Sequence, residues 1–217
     1  MKKALYIFSG LGADERVFRK LDFSAYAVTH IKWITPLKNE SLAEYAKRIS
    51  TQIKTEKPLI IGLSFGGIMA VEISKIIVPE KIIIIASVKT KYEIPWYFRF
   101  LGKLGVANLL PNKLLKSSNF ATNWLFGTGG KADKKILKQI LQDTDPVFLK
   151  WALNRIPRWE NETKPKNLVH IHGNADKILP IRFAKPDLVI ENGGHLMTLN
   201  KAEALNEIIL NELNENH

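Results

Sequence analysis

The 217-residue chain contains no cysteine. That removes thiol nucleophiles, disulfides and cysteine-ligated metal, and it fixes no compartment, because a cysteine-free chain is stable in any redox environment. No apolar run approaches the roughly 18 to 20 residues that span a bilayer. There is no internal repeat and no low-complexity tract. No zinc-finger spacing, RNP-type motif or basic heptad array is present, so nucleic acid is not an expected partner. Histidine is scarce: His30, His170, His172, His195 and His217 are the whole supply.

What is present is a soluble, globular composition, 46% apolar and 24% charged, of a length that suits a single domain over 1–217. Lys2-Lys3 followed by Ala4-Leu5-Tyr6-Ile7-Phe8 is shorter than a signal-peptide core of about 7 to 15 residues. It runs into Ser9-Gly10-Leu11-Gly12 and then charge, so it reads as a first strand, with a cytoplasmic location expected. The net charge of +11 is concentrated: residues 89–166 hold fifteen Lys/Arg against six Asp/Glu, and four of the five tryptophans. Either this is a solvated basic surface, or it draws an acidic partner or substrate by long-range steering that reversing Lys131, Lys134, Lys135 and Lys138 to glutamate would weaken.

The first part of the chain alternates strands and helices. Strands are expected at 4–9, 27–33, 59–63 and 81–86. Asp14 caps a short helix through Leu21, and Ser41-Leu42-Ala43-Glu44 has capping-box spacing for a helix to about Lys54. A helix is expected from Phe65 to about Ile77. Lys81-Ile82-Ile83-Ile84-Ile85-Ala86 lacks polar alternation, the mark of a parallel strand buried on both faces. From Val88 to Lys166 only helix-period segments occur, with Asp145-Pro146 a helix start. Strands return at 168–172 and 187–191, and Asn200-Lys201-Ala202-Glu203 has the spacing to cap a terminal helix. The expected fold class is α/β: a six-stranded parallel sheet flanked by helices, with 88–166 as a helical insertion.

Gly62-Leu63-Ser64-Phe65-Gly66 is G-x-S-x-G at a strand-to-helix junction. Strand and helix pass close to each other there, so small residues are needed two positions either side of the serine. A tight turn explains the glycines; a nucleophile held up on that turn explains the serine too. A serine hydroxyl needs a base, and the base an orienting acid. In open parallel sheets these lie beyond the carboxyl ends of the strands. His195 follows the last strand and Asp176 the strand before it. His30 and His170 fall inside strands, His172 precedes a turn, and His217 ends the chain. Glu191 is the reserve acid. Oxyanion donors are expected at the backbone N–H of Phe65 and, in the loop after the first strand, of Leu11.

The loop FSGLGADERVF, the elbow GLSFGG, the acid turn HGNADKILP and the histidine turn ENGGHLM together resemble the α/β-hydrolases of the compact bacterial kind. The resemblance implies Ser64 as nucleophile, His195 as general base, Asp176 as acid, Leu11 and Phe65 as oxyanion donors, and 88–166 as the cap. The first loop reads Ser9-Gly10 where the family often has His-Gly, and only eighteen residues separate Asp176 from His195. The expectation is a serine hydrolase of carboxylic esters or thioesters, with no metal or organic cofactor. The aromatic, basic insertion suggests an apolar acyl group on an acidic carrier protein or at an anionic surface, with Trp96, Trp124 and Trp151 as substrate contacts. Alternatives are an acyl-carrier-protein-linked methyl esterase or thioesterase, and a non-catalytic ligand-binding or signalling protein of the same fold.

Overall fold

The computed structural model describes residues 2–109 and 111–214; His217 lies outside them. Six parallel strands form one sheet in the order β2-β1-β3-β4-β5-β6: β1 (Ala4–Phe8), β2 (Ala27–His30), β3 (Leu59–Leu63), β4 (Lys81–Ile85), β5 (Leu168–Gly173) and β6 (Leu188–Ile190). The chain places β2 on one side of β1 and then crosses to the other side for β3. The strand order therefore reverses between β1 and β3, the place where such sheets open a crevice.

Side-chain alternation splits the core into two. Leu5, Ile7, Ile61, Ile83, Ile85 and Ile171 face one layer; Tyr6, Phe8, Ile60, Ile82, Ile84 and Leu168 face the other. The central strands β3 and β4 are buried at every position. Each fully buried Ile or Leu contributes about 1.5–3 kcal/mol, so truncating Ile84 to alanine costs about 2–5 kcal/mol once the cavity is counted.

The helices are α1 (Leu42–Ile49), α2 (Phe65–Ile73), α3 (Trp96–Lys103), α4 (Val106–Leu109), α5 (Asn112–Leu115), α6 (Phe120–Phe126), α7 (Lys131–Asp143), α8 (Pro146–Arg155), α9 (Met197–Asn200) and α10 (Ala202–Asn214). Helices α1, α2 and α8 cover one face of the sheet, and α7, α9 and α10 contribute to the other. The capping box at Ser41 and Glu44 forms, and Asp145 accepts the N–H of Val147 ahead of Pro146.

Several boundaries differ from the sequence expectation. Asp14 caps only a 3₁₀ turn, Glu15–Phe18. Strand β2 stops at His30, because Trp33 turns inward to Ser9 rather than continuing an exposed edge. Helices α1 and α2 end at Ile49 and Ile73. Between Asp176 and His195 the chain makes turns and the short β6, without a helix. Asn200 does not cap α10; its amide donates instead to the Gly127 carbonyl at 2.6 Å, fastening the C-terminal region to the helical segment.

Candidate active site

Ser64 sits at φ 52° and ψ −117°, a conformation that L-residues rarely adopt, between β3 and α2. The neighbouring glycines permit it. A Cβ on Gly62 would lie 2.5 Å from the Gly66 carbonyl oxygen, and one on Gly66 would collide with the Phe8 carbonyl of β1. The turn is held from beneath. Ser64 N–H donates to the Ile85 carbonyl at 2.8 Å, and Ser87 Oγ donates to the Ser64 carbonyl at 2.7 Å.

The structure brings the three sequence-selected side chains together. Ser64 Oγ lies 2.8 Å from His195 Nε2, and His195 Nδ1 lies 2.8 Å from Asp176 Oδ2. Asp176 and His195 are buried. The acid is fixed through its other oxygen, Oδ1, which accepts the N–H groups of Ile178 and Leu179, each at 2.9 Å. A carboxylate fixes the imidazole proton on Nδ1 and leaves Nε2 to accept from the serine hydroxyl. Burial pushes the Asp176 pKa up. The charge of His195, its hydrogen bond and the Leu179 N–H outweigh burial, and the net result lies below the ordinary carboxylate value.

His172 stands behind the acid. Its Nε2 donates to the Leu179 carbonyl at 2.8 Å and lies 3.6 Å from Asp176 Oδ2. Desolvation lowers its pKa, against the opposing pull of the Leu179 carbonyl and Asp176. Glu191 is exposed and accepts from Asn174 Nδ2 at 2.6 Å, so it is not paired with His195. His30 lies in edge strand β2, 6.1 Å ring to ring from Phe18.

The loop after β1 brings Gly10 and Leu11 beside the serine: a Cβ on Gly10 would be 3.6 Å from Ser64 Cβ. Among the described residues, the N–H groups of Leu11 and Phe65 donate to no other group, and Phe65 opens α2, whose dipole favours negative charge there. Ser9 supplies the loop's support. Its Oγ donates to the Ala13 carbonyl at 2.6 Å and accepts Trp33 Nε1–H at 3.0 Å. Sequence reasoning missed this pair and Ser87, because partners 24 and 23 residues apart leave no local pattern.

Above the serine lies a cavity of about 710 Å³. Its floor comes from the loops after β1, β3, β4, β5 and the His195 turn; its walls come from α3 to α8. The lining is almost wholly aliphatic and aromatic, with Ser64, His195 and Lys177 among its few polar members. The three tryptophans expected to touch substrate do not line it. Trp96 is exposed. Trp124 is exposed too, with the Lys177 ammonium 4.0 Å above its ring. Trp151 packs 4.5 Å from Tyr45 and donates from Nε1 to the Glu40 carbonyl at 2.9 Å. Aromatic character in sequence does not reveal which way a short helix is turned.

No family model matches the sequence, and no curated protein matches it. Solved structures do. A bromoperoxidase from Bacillus anthracis superposes with a TM-score of 0.68 at 16% identity, over 99% of this chain and 93% of its own. An esterase from Exiguobacterium antarcticum gives 0.70 at 15%, over 98% and 92%. A protein described as an N-acyl homoserine lactone degrading enzyme gives 0.69 at 14%, over 97% and 93%. At such identities the likeness concerns the fold: this chain has the α/β-hydrolase fold.

Proposed function

We propose that the chain is a serine hydrolase that cleaves a carboxylic ester or thioester through an acyl-enzyme. The observation that carries this reading is the unbroken contact from Ser64 Oγ through His195 to Asp176, 2.8 Å at each step, at the floor of an apolar cavity. Ser64 Oγ bonds to the acyl carbon while His195 Nε2 takes its proton. Asp176 keeps the imidazole in the required tautomer and stabilises the imidazolium. The N–H groups of Leu11 and Phe65 hold the oxyanion. His195 then returns the proton to the leaving oxygen or sulfur as the tetrahedral adduct collapses. A water, deprotonated by the same imidazole, adds to the acyl carbon; the acyl–Oγ bond then breaks, the proton passes to Ser64 Oγ, and the acid leaves. The route needs no metal or organic cofactor.

Segment 88–166 is the cap, and its inner wall sets the substrate class. A cavity of this size and apolarity suits an extended acyl chain, with the carbonyl over Ser64. The esterases among the structural neighbours agree with this reading.

Fluorophosphonate labelling with peptide mapping, together with p-nitrophenyl esters graded by chain length, tests it. The expected result is a label on Ser64, turnover that rises from acetyl to medium acyl chains, and loss of hydrolysis on the order of 10⁶-fold in Ser64→Ala. No label on Ser64, or activity surviving in Ser64→Ala, would overturn the reading. An unlabelled, inert protein that retains an acyl ligand would instead be a binding protein of this fold.

A further inference from the structure

Large apolar side chains that stay in solvent are not scattered over this molecule. Of the sixteen that are exposed among the described residues, ten fall between Tyr92 and Leu125. Trp96, Leu104, Leu109 and Phe120 are 69%, 62%, 80% and 87% exposed. The same short helices, α3 to α6, also turn apolar residues inward, where Val106, Leu115 and Phe126 line the cavity. Leu101, Leu114 and Leu125 also line the cavity, whereas Trp96, Phe100, Leu104, Leu109, Phe120 and Trp124 do not, and exposed apolar side chains gathered on one segment mark an interaction surface.

Charge narrows that use. Between Glu93 and Asp133 the sequence has no acidic residue at all, while Arg99, Lys103, Lys113, Lys116 and Lys131 are basic. Arg99 reaches Glu160 at 3.7 Å; Lys103, Lys113 and Lys116 enter no ion pair among the described residues. Unpaired lysines interleaved with exposed Trp, Phe and Leu on short helices are the composition of a segment that lies in a lipid–water interface. No described helix is long and apolar enough to cross a membrane.

We propose that the outer face of α3 to α6 docks on an anionic phospholipid surface, with Leu104, Leu109 and Phe120 entering the headgroup boundary and Lys103, Lys113 and Lys116 engaging the phosphates. A second copy of the chain is a poorer occupant, because a two-fold contact through this face would set the unpaired lysines of both copies against each other. An acidic protein is poorer too, because the core of a protein interface is depleted in lysine and this face mixes lysine throughout. Leu101, Leu114 and Leu125 are exposed and also line the cavity, so docking brings an open side of the cavity to a source of acyl chains. That second half rests on the hydrolase reading above; the docking does not.

The test uses Ser64→Ala full-length protein, so that binding is read without turnover, sedimented with vesicles of phosphatidylglycerol or of phosphatidylcholine. Binding to phosphatidylglycerol is expected, at least tenfold tighter than to phosphatidylcholine, and weakening as salt shortens the screening length from about 10 Å at 0.1 M to about 3 Å at 1 M. Each lysine near such a surface is worth roughly fivefold in affinity, so Lys103→Glu/Lys113→Glu/Lys116→Glu should lose on the order of a hundredfold or more. Leu104→Ser/Leu109→Ser/Phe120→Ser should lose binding as well. In the Ser64 background both triple variants should hydrolyse a short soluble ester within twofold of the parent. Failure to bind phosphatidylglycerol vesicles, equal binding by the charge variant, or a concentration-dependent dimer abolished by the apolar variant would each overturn the proposal. So would binding confined to an acidic carrier protein.

Discussion

The Lys89 ammonium lies 3.0 Å from Nδ1 of His170, and both side chains are buried. His170 Nε2 is in turn 3.1 Å from His172 Nδ1. One tautomer set satisfies the row: Lys89 donates to His170, His170 donates from Nε2 to His172, and His172 donates from Nε2 to the Leu179 carbonyl. Both histidines are then neutral. The lysine's charge is answered by Glu93 at 2.9 Å, and it also donates to the Lys185 carbonyl. The row ends at the backbone that holds Asp176 Oδ1.

Lys89→Met should therefore destabilise the fold severely, by about 3–5 kcal/mol, since it strands a buried carboxylate. Lys89→Met/Glu93→Gln should recover a good part of that loss, because the partner left behind is no longer charged. Urea unfolding of the two variants beside the parent measures this. Equal stability of the single and double variants would mean that the pair is not coupled.

Acid should loosen the same region. Desolvation, and next the Lys89 charge, push the His170 pKa down to about 2, and desolvation lowers that of His172. In the unfolded chain a histidine takes up its proton near pH 6.5. Below that value the unfolded state binds protons that the folded state refuses, so stability falls as pH falls. Each such histidine contributes a slope approaching about 1.4 kcal/mol per pH unit. Asp176 adds its own loss further down, as pH falls through its depressed folded value. Unfolding free energies at pH 7, 6 and 5 should decline with a slope that is shallower in His170→Gln/His172→Gln; an unchanged slope would refute this assignment.

Ser64 holds a strained backbone, and glycine would hold it without strain. Strain of this kind costs about 1–3 kcal/mol, and glycine's greater unfolded-state freedom returns about 0.5–1 of it. Ser64→Gly should thus be more stable than Ser64→Ala by about 1 kcal/mol, or about 2–4 °C in Tm for a chain of this size. Both should be inactive, having lost the hydroxyl. A glycine variant no more stable than the alanine variant would place the strain elsewhere.

The two candidate acids separate cleanly. Asp176→Asn should lower kcat by about 10⁴-fold through loss of the correct imidazole tautomer. Glu191→Gln, at an exposed site bonded to Asn174, should leave kcat within twofold. Steady-state hydrolysis of a p-nitrophenyl ester distinguishes them; comparable losses would reverse the choice.

What could be read from the sequence was what is encoded locally. The elbow needs small residues at fixed offsets, so Gly62 and Gly66 announced it. Unbroken runs such as Ile82–Ile85 announced a buried parallel strand. Placing Asp176 and His195 after strands sufficed to bring them to Ser64, because parallel strands deliver their carboxyl ends to one edge. The reverse held wherever a distant partner decided the outcome. Trp33 left the edge strand for Ser9, Asn200 left its cap for Gly127, and Trp151 turned to Glu40 and Tyr45. Periodicity names the buried stripe of a long helix such as α7, but α4 and α5, four residues each, are too short to carry one.

The helical segment leaves the sheet after β4 and rejoins it at β5, the strand hydrogen-bonded alongside, with Ile82 paired to Leu168 and Ile85 to Ile171. Ser64, Asp176 and His195 all lie outside it in sequence. The segment walls the cavity, while Leu11, Val17, Leu179 and Leu196, from the loops outside it, complete the lining around Ser64 and His195. If the hydrolase reading holds, an exchange of 88–166 that spares Ser87, which holds the Ser64 carbonyl, would renew the cavity walls and leave the three side chains in place. The exchange has a seam to respect: Gly127 meets Gly194 so closely that a Cβ on the former would lie 3.0 Å from the latter's Cα, one residue before His195. A grafted segment that carried a side chain there would press on the turn that carries His195.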